Sequence, residues 1–276
     1  MNPSEPAALP RYSLFGSSHL FGLIDRYVGA LPDDGFHRAW ATGVPATGPF
    51  NLDGVEGWQG EFVLFNTPVA GPPPALDGQV LYLPPQLGWV MGHASPDTRV
   101  VFSLMRGHEY AIAALVDDPS HGDFNDAHSH CLPGRRWMSL ADATAWVREF
   151  SAPMFATVLA LRQQFPRAQV IHVPPPPPIE DEAHILANPE SFGPLFAQHG
   201  IKPFAARLRL YRLMLDDMAA RLRAHGVHSL PPPPVALTPA GGLRADFARG
   251  CLHGNQLYAE GLAQQFREVL AHVASV

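Results

Sequence analysis

Two short segments, one near each end of the chain, carry side chains that together could perform nucleophilic catalysis. Ser18 lies in the segment 15–20, directly after a short apolar run, and His253 lies in the segment 251–255. A histidine within hydrogen-bonding distance can take the proton of a serine hydroxyl, which turns that hydroxyl into a nucleophile. We therefore predict that Ser18 and His253 form a catalytic pair. The alternative is that Ser17 or Ser18 only caps a helix and that the histidine has no catalytic role.

Glycines near these polar residues indicate where a developing negative charge could be stabilised. Gly16 permits a tight turn before the serine, whose backbone N–H then lies near a helix N-terminus. In the segment 103–110, Gly107 permits close approach of the backbone to a ligand, and His108 carries a ring N–H. We expect Gly16, Gly107 and His108 on the oxyanion side of the site. The alternative for 103–110 is an ordinary loop that leaves a strand.

A third group of side chains offers metal-ligand chemistry. His128, His130 and Cys131 alternate along a short segment, with Asp123 and Asp126 nearby. Imidazole and thiolate groups at this density could hold zinc. No second ligand cluster accompanies the segment, so the favoured interpretation is a polar surface loop, or a lid over the cleft, and no metal is assigned to the site.

Short apolar runs alternate with longer helical patterns along the chain, which indicates parallel strands in a sheet covered by helices on both faces. Ligands of such sheets bind beyond the carboxyl ends of the strands. Strands are predicted at 11–15, 61–65, 80–83, 99–104, 168–173 and 227–230, and helices at 139–164, 205–224 and 254–273.

Two runs of proline follow predicted strands, at 174–178 and 231–234. Proline cannot continue a helix or a central strand and favours a stiff extended backbone. Each run therefore predicts a strand that leaves the sheet into a rigid loop, with 174–178 as a wall of the cleft. The alternative is a recognition motif for a proline-binding domain.

The order of these segments resembles that of the SGNH, or GDSL-like, hydrolase family. Residues 15–18, Phe-Gly-Ser-Ser, resemble its first block, with Ser18 in the nucleophile position. Residues 106–109, Arg-Gly-His-Glu, resemble its glycine-asparagine block. Residues 250–253, Gly-Cys-Leu-His, resemble its closing aspartate-x-x-histidine block, with His253 as the base.

This resemblance, over roughly residues 11–274, implies an α/β fold, a three-layer flavodoxin-like sandwich with a mostly parallel central sheet. It also implies serine-dependent hydrolysis of acyl esters, or acyl transfer, without a cofactor. The expected organisation is a flexible N-terminus over 1–10 and a single SGNH hydrolase-like domain over 11–276. A second-block glycine would add a backbone N–H to the oxyanion hole, and Gly54 and Gly60 are both candidates.

The chain departs from the family pattern at three positions. Ser17 stands in place of the first-block aspartate, His108 in place of the asparagine, and Gly250 in place of the closing aspartate. Loss of the orienting acid of a serine triad costs about 10⁴-fold in turnover. His108 could supply the missing donor, and a backbone carbonyl or Asp246 could orient His253. Without such a replacement, the chain would be a very slow hydrolase or a non-catalytic binding or regulatory protein.

Composition narrows the class of partner. The 276 residues carry a net charge of −6, which argues against binding to nucleic acid. No apolar run reaches the ~18 residues of a membrane span, and the polar first residues do not form a signal peptide, so we expect a cytoplasmic protein. The expected partner is a small-molecule or carbohydrate-linked ester. A binding protein on this fold is the first alternative, and a metal-dependent enzyme is the second.

Overall fold

The computed structural model describes residues 9–29, 42–66, 75–77, 80–105, 113–118 and 120–275. The described strands are β1 (Arg11–Gly16), β2 (Ala46–Pro49), β3 (Gln59–Leu64), β4 (Ala75–Asp77), β5 (Val80–Tyr82), β6 (Thr98–Leu104), β7 (Gln169–His172), β8 (His228–Ser229), β9 (Ala248–Arg249) and β10 (His253–Gly254). The described helices are α1 (Phe21–Tyr27), α2 (Pro85–Met91), α3 (Leu140–Gln164), α4 (Glu182–Ala187), α5 (Gly193–His199), α6 (Phe204–Arg223) and α7 (Gln256–Ala274). Most of the expected flexible segment 1–10 lies outside the described residues.

The central sheet of the described chain has six strands in the order β2-β3-β1-β6-β7-β8. All neighbours are parallel except β2, which pairs antiparallel with β3 at one edge. Counted along the chain, the five parallel strands have the order 2-1-3-4-5, which is the flavodoxin-like order. The predicted α/β fold with a mostly parallel sheet is confirmed. Such a sheet binds ligands where the connections change direction, which here is the carboxyl edge between β1 and β6.

Helices cover both faces of this sheet. Side chains alternate along β1, so Leu14 packs into one apolar core and Phe15 into the other. The core around Leu14 includes α1 and α7, where Phe266 stacks on Phe102 of β6 with ring centroids 4.1 Å apart. The core around Phe15 includes α3 and α6. These two cores make the predicted three layers.

Local sequence signals explain where the long helices begin. The Ser139 side chain accepts a hydrogen bond from the Asp142 backbone N–H at 3.1 Å, which caps α3 as predicted. The Asn255 side chain caps α7 in the same way, accepting from Leu257 and Tyr258. All three predicted helices are present within two residues of their expected bounds.

Four elements differ from the sequence-based expectation. The run at 80–83 was expected among the sheet strands, but β5 pairs only with β4 in a separate antiparallel hairpin, where Val80 and Tyr82 are more than half exposed. Edge strand β2 was not predicted, because its sequence Ala-Thr-Gly-Pro has no apolar alternation. Helices α4 and α5 were not predicted either, since six or seven residues hold too few turns to show a period.

The proline run after β7 leaves the sheet as predicted. Residues 174–178 have neither helical nor strand structure, and all five are buried. They lie at the carboxyl edge of the sheet, beside the strand ends that face the site. No helix within the described ranges is long and apolar enough to cross a membrane.

Candidate active site

Ser18 begins a 3-10 turn, Ser18–Leu20, that leads from β1 directly into α1. Gly16 makes this turn possible, because a Cβ there would lie 2.8 Å from both the Leu104 carbonyl oxygen and Leu20 Cγ. Ser17 precedes the turn and makes no side-chain capping bond, and Leu20 is the N-cap residue of α1. The helix-cap interpretation is therefore wrong for both serines.

His253 is carried by a two-stranded antiparallel hairpin, in which β10 pairs with β9 directly before α7. Gly250 turns the chain with a φ of +60°, a conformation that favours glycine. The Asn255 backbone N–H donates to the Phe247 carbonyl at 2.9 Å, which ties the hairpin to the start of the helix. These contacts fix the His253 side chain at the same sheet edge as Ser18.

The two residues predicted as a catalytic pair meet in the structure. His253 Nε2 lies 2.8 Å from Ser18 Oγ, a hydrogen bond between residues 235 positions apart. The His253 side chain is 15% exposed, so the pair is screened from bulk water while still open on one side. This geometry fits an imidazole that accepts the proton of the serine hydroxyl.

A carboxylate that no sequence pattern singled out lies on the other side of the histidine. Glu190 Oε2 is 3.7 Å from His253 Nδ1, within ion-pair distance but longer than a hydrogen bond. The neighbouring imidazole lowers the pKa of Glu190 against the effect of partial burial, and Cys251 adds to the lowering. The Cys251 thiol donates to the same Oε2 at 3.4 Å.

Asp246, one of the two candidates to replace the missing acid, does not orient His253. Both carboxylate oxygens of Asp246 accept hydrogen bonds from the Arg244 guanidinium, at 3.0 and 2.7 Å, and the side chain is half exposed. Asp246 lies in the short helical turn before β9, where this local ion pair fixes its direction. The carboxylate near His253 comes from a distant segment instead.

The expected oxyanion residues have different outcomes. Gly107 and His108 lie outside the described residues. Gly16 is buried, and its carbonyl accepts a hydrogen bond from the Phe65 backbone N–H at 3.1 Å, so its observed part is to allow close packing. Gly54 and Gly60 both precede or begin β3, which runs parallel to β1 and places them at the edge opposite Ser18. Neither can be the second-block glycine.

His19, directly after the serine, lies between two clefts. Its ring centroid is 5.2 Å from that of His253, and its Nδ1 is buried without a hydrogen-bond partner. Burial, followed by the charge of His253, lowers the pKa of His19 to about 3, so its ring is neutral near pH 7.

The larger of these two clefts encloses little free space. Its walls include the prolines 175–178 together with Leu115 and Leu252, which confirms the predicted role of the proline run as a wall. The lining is almost wholly apolar, and the His19 side chain forms part of it. Such a surface suits an apolar group placed next to the Ser18 hydroxyl.

The two aspartates near the candidate zinc ligands are engaged elsewhere. Both oxygens of Asp123 accept hydrogen bonds from Arg209, and Asp126 accepts the backbone N–H groups of His128 and Ser129. Among the residues that the structure describes, no group of three or more histidine, cysteine or acidic side chains could hold a metal ion. This geometry gives the metal hypothesis no support.

Comparisons with known proteins find distant structural likenesses only. No family model and no curated protein matches the chain. A phospholipase A1 from Streptomyces albidoflavus is 11% identical, with 94% of this chain and 100% of that chain covered and a TM-score of 0.46. A GDSL-like lipase from Bacteroides thetaiotaomicron is 8% identical, with coverages of 95% and 88% and a TM-score of 0.45. A carbohydrate acetylesterase from Sinorhizobium meliloti is 12% identical, with coverages of 96% and 99% and a TM-score of 0.43. These likenesses are too distant to carry an argument about activity.

Proposed function

We propose that the protein is a serine-dependent hydrolase of acyl esters of the SGNH type, with Ser18 as the nucleophile and His253 as the general base. The observation that carries the proposal is the 2.8 Å contact between Ser18 Oγ and His253 Nε2. This contact lies at the carboxyl edge of a flavodoxin-like sheet, where such folds bind their ligands. A base this close to a hydroxyl is the arrangement that nucleophilic catalysis requires.

The chemistry follows from this geometry. Ser18 Oγ attacks the carbonyl carbon of the ester, and His253 Nε2 takes the hydroxyl proton. The same nitrogen gives that proton to the leaving alcohol as the acyl-serine forms. A water molecule, deprotonated by His253, then attacks the acyl-serine. The bond between the acyl carbon and Ser18 Oγ breaks, His253 returns the proton to that oxygen, and the carboxylic acid is released. If an acceptor alcohol replaces this water, the same intermediate leads to acyl transfer.

The surroundings of the serine support an acyl group as the part of the substrate that is held. The cleft beside His19 is apolar and walled by prolines, so it offers a stiff apolar surface against which a short hydrocarbon chain can pack. The proposed substrates are therefore small-molecule or carbohydrate-linked esters with a short acyl group.

Hydrolysis of a series of p-nitrophenyl esters, from acetate to octanoate, tests the proposal. We expect turnover by the wild type and a loss of at least about 10³-fold in kcat for Ser18→Ala and for His253→Ala, since these side chains supply the nucleophile and its base. Ser17→Ala, the matched control at the neighbouring residue, should keep most of the activity. A folded wild type that hydrolyses none of these esters, or no faster than Ser18→Ala, would favour a binding role instead.

A further inference from the structure

We propose that Glu190 is the acid that orients His253, supplied from the segment between α4 and α5 rather than from the position three residues before the histidine. Glu190 acts through His253 and does not contact the reacting atoms, so it is a positioning residue. This inference rests on the proposed function and adds a residue to the same site.

Three side chains lie in the order of a hydrolytic triad. Ser18 Oγ is 2.8 Å from His253 Nε2, and Glu190 Oε2 is 3.7 Å from the opposite ring nitrogen, Nδ1. A carboxylate at Nδ1 fixes the ring tautomer that leaves Nε2 free to accept a proton, and it stabilises the imidazolium that forms. Contacts of this kind are often long without substrate and shorten when the substrate is bound.

A side chain at position 250 and the observed Glu190 carboxylate would occupy the same space. A Cβ built on Gly250 would lie 2.2 Å from Glu190 Oε1 and 2.3 Å from Cδ, far inside contact distance. The pattern of the SGNH family has an aspartate at this position. This chain has Gly250 there instead, and the carboxylate of Glu190 fills the space next to it. A side chain at position 250 would therefore displace the Glu190 carboxylate from its observed place.

The backbone at Glu190 is held in an unfavourable conformation. Its φ of 48° is the only positive value at a non-glycine residue among the described residues. Side chains beyond glycine rarely adopt this region, and such conformations persist where the surroundings impose them. The thiol of Cys251 donates to Glu190 Oε2 at 3.4 Å and helps to fix the carboxylate beside the ring.

Glu190 has no competing cation within the part of the chain that the structure describes. His253 is its ion-pair partner there, and its pKa is lowered, so it is ionised near neutral pH. The Glu190 side chain is 39% exposed, which weakens its pull on the ring relative to a fully buried acid. We therefore expect the loss of Glu190 to lower turnover by no more than the roughly 10⁴-fold cost of removing a triad acid.

Glu190→Gln tests the inference because it keeps the size of the side chain and removes its charge. We expect kcat to fall by about 10²–10⁴-fold, with KM changed by less than about threefold, since Glu190 does not touch the substrate. The acidic limb of the kcat/KM profile should move to lower pH, because a partly exposed carboxylate no longer stabilises the protonated ring. Glu260→Gln, an exposed ion-paired residue on α7, is the matched control and should change neither value.

A relocation experiment separates orientation from simple structural support. Glu190→Gly should be nearly inactive, and Glu190→Gly with Gly250→Asp should regain at least about tenfold in kcat, since the carboxylate returns from the other side of the same space. Aspartate tolerates a φ near +60° better than most residues do. Gly250→Asp alone should lower activity, because two carboxylates then compete for one place.

NMR titration of the His253 ring gives a readout that does not need turnover. Its midpoint should fall in Glu190→Gln and stay unchanged in Glu260→Gln. If the midpoint and kcat both stay unchanged in Glu190→Gln while Ser18→Ala is inactive, the role of Glu190 is overturned and the hydrolase proposal stands. If the wild type has no Ser18-dependent turnover, the hydrolase proposal falls and this inference falls with it.

Discussion

His172 should make the stability of the fold depend on pH in the mildly acidic range. It is the last residue of β7, it is 1% exposed, and neither ring nitrogen has a well-formed hydrogen bond within the described structure. Its register partners are Ser103 on β6 and Ser229 on β8, whose hydroxyls are also without partners. Burial, which outweighs an opposing effect of the Ser103 backbone, lowers the pKa of His172 to about 4.

The sign and size of the effect follow from the difference between the two states. An unfolded histidine has a pKa near 6.5, so below that pH the unfolded chain binds a proton that the folded chain refuses until about pH 4. The contribution of His172 to stability is complete above pH 6.5 and is lost as the pH falls towards 4. Between pH 7.5 and pH 4.5, this loss amounts to about 2.5 kcal/mol.

The assay compares the free energy of unfolding of wild type and His172→Leu by chemical denaturation at both pH values. Acidic residues that titrate in this range affect both proteins and cancel in the difference. We expect the variant to gain about 2.5 kcal/mol relative to wild type on going from pH 7.5 to 4.5. His228→Leu, at an exposed position on the neighbouring strand, is the control and should show no such gain. Parallel pH dependences of wild type and His172→Leu would refute the reasoning.

Two further variants test the packing that supports the site. Asp123→Ala should lower the free energy of unfolding by about 3–5 kcal/mol, because it leaves the fully buried Arg209 guanidinium without its carboxylate; a loss under about 1 kcal/mol would contradict this. Gly60→Ala should cost about 3 kcal/mol or more, since its Cβ would lie 1.9 Å from the Phe50 carbonyl oxygen. Gly88→Ala, whose Cβ would meet Leu83 only at 3.6 Å, should be neutral or stabilising, and equal effects of the two glycine variants would contradict the packing argument.

The parts of the fold that could be predicted are those with a strong local pattern. Helix α3 has a capping serine at Ser139, and β1, β3, β6 and β7 form from runs that are rich in apolar residues. The run at 80–83 has the same local pattern, yet it forms a separate exposed hairpin. Which strand pairs with the sheet is decided by tertiary packing, and a run of three or four residues does not encode it.

The site residues that could be predicted are those whose place follows from the order of strands and helices. Ser18 and His253 each lie directly beside a predicted element, and the edge rule for parallel sheets brings such positions together. Glu190 could not be predicted in this way, because it lies between two short helices and only the tertiary fold brings it next to the histidine. The one trace of it in the sequence is Gly250, a glycine that matters only once the carboxylate beside it is seen.

The most direct test of the central claim is labelling of the wild type with a fluorophosphonate probe, followed by mass spectrometry of the digested protein. An activated serine attacks the phosphorus of this probe and keeps it as a stable adduct. We expect a single adduct on Ser18, none on Ser17, and none at all in His253→Ala. A folded wild type that takes up no probe, or that carries it on another residue, would contradict the account.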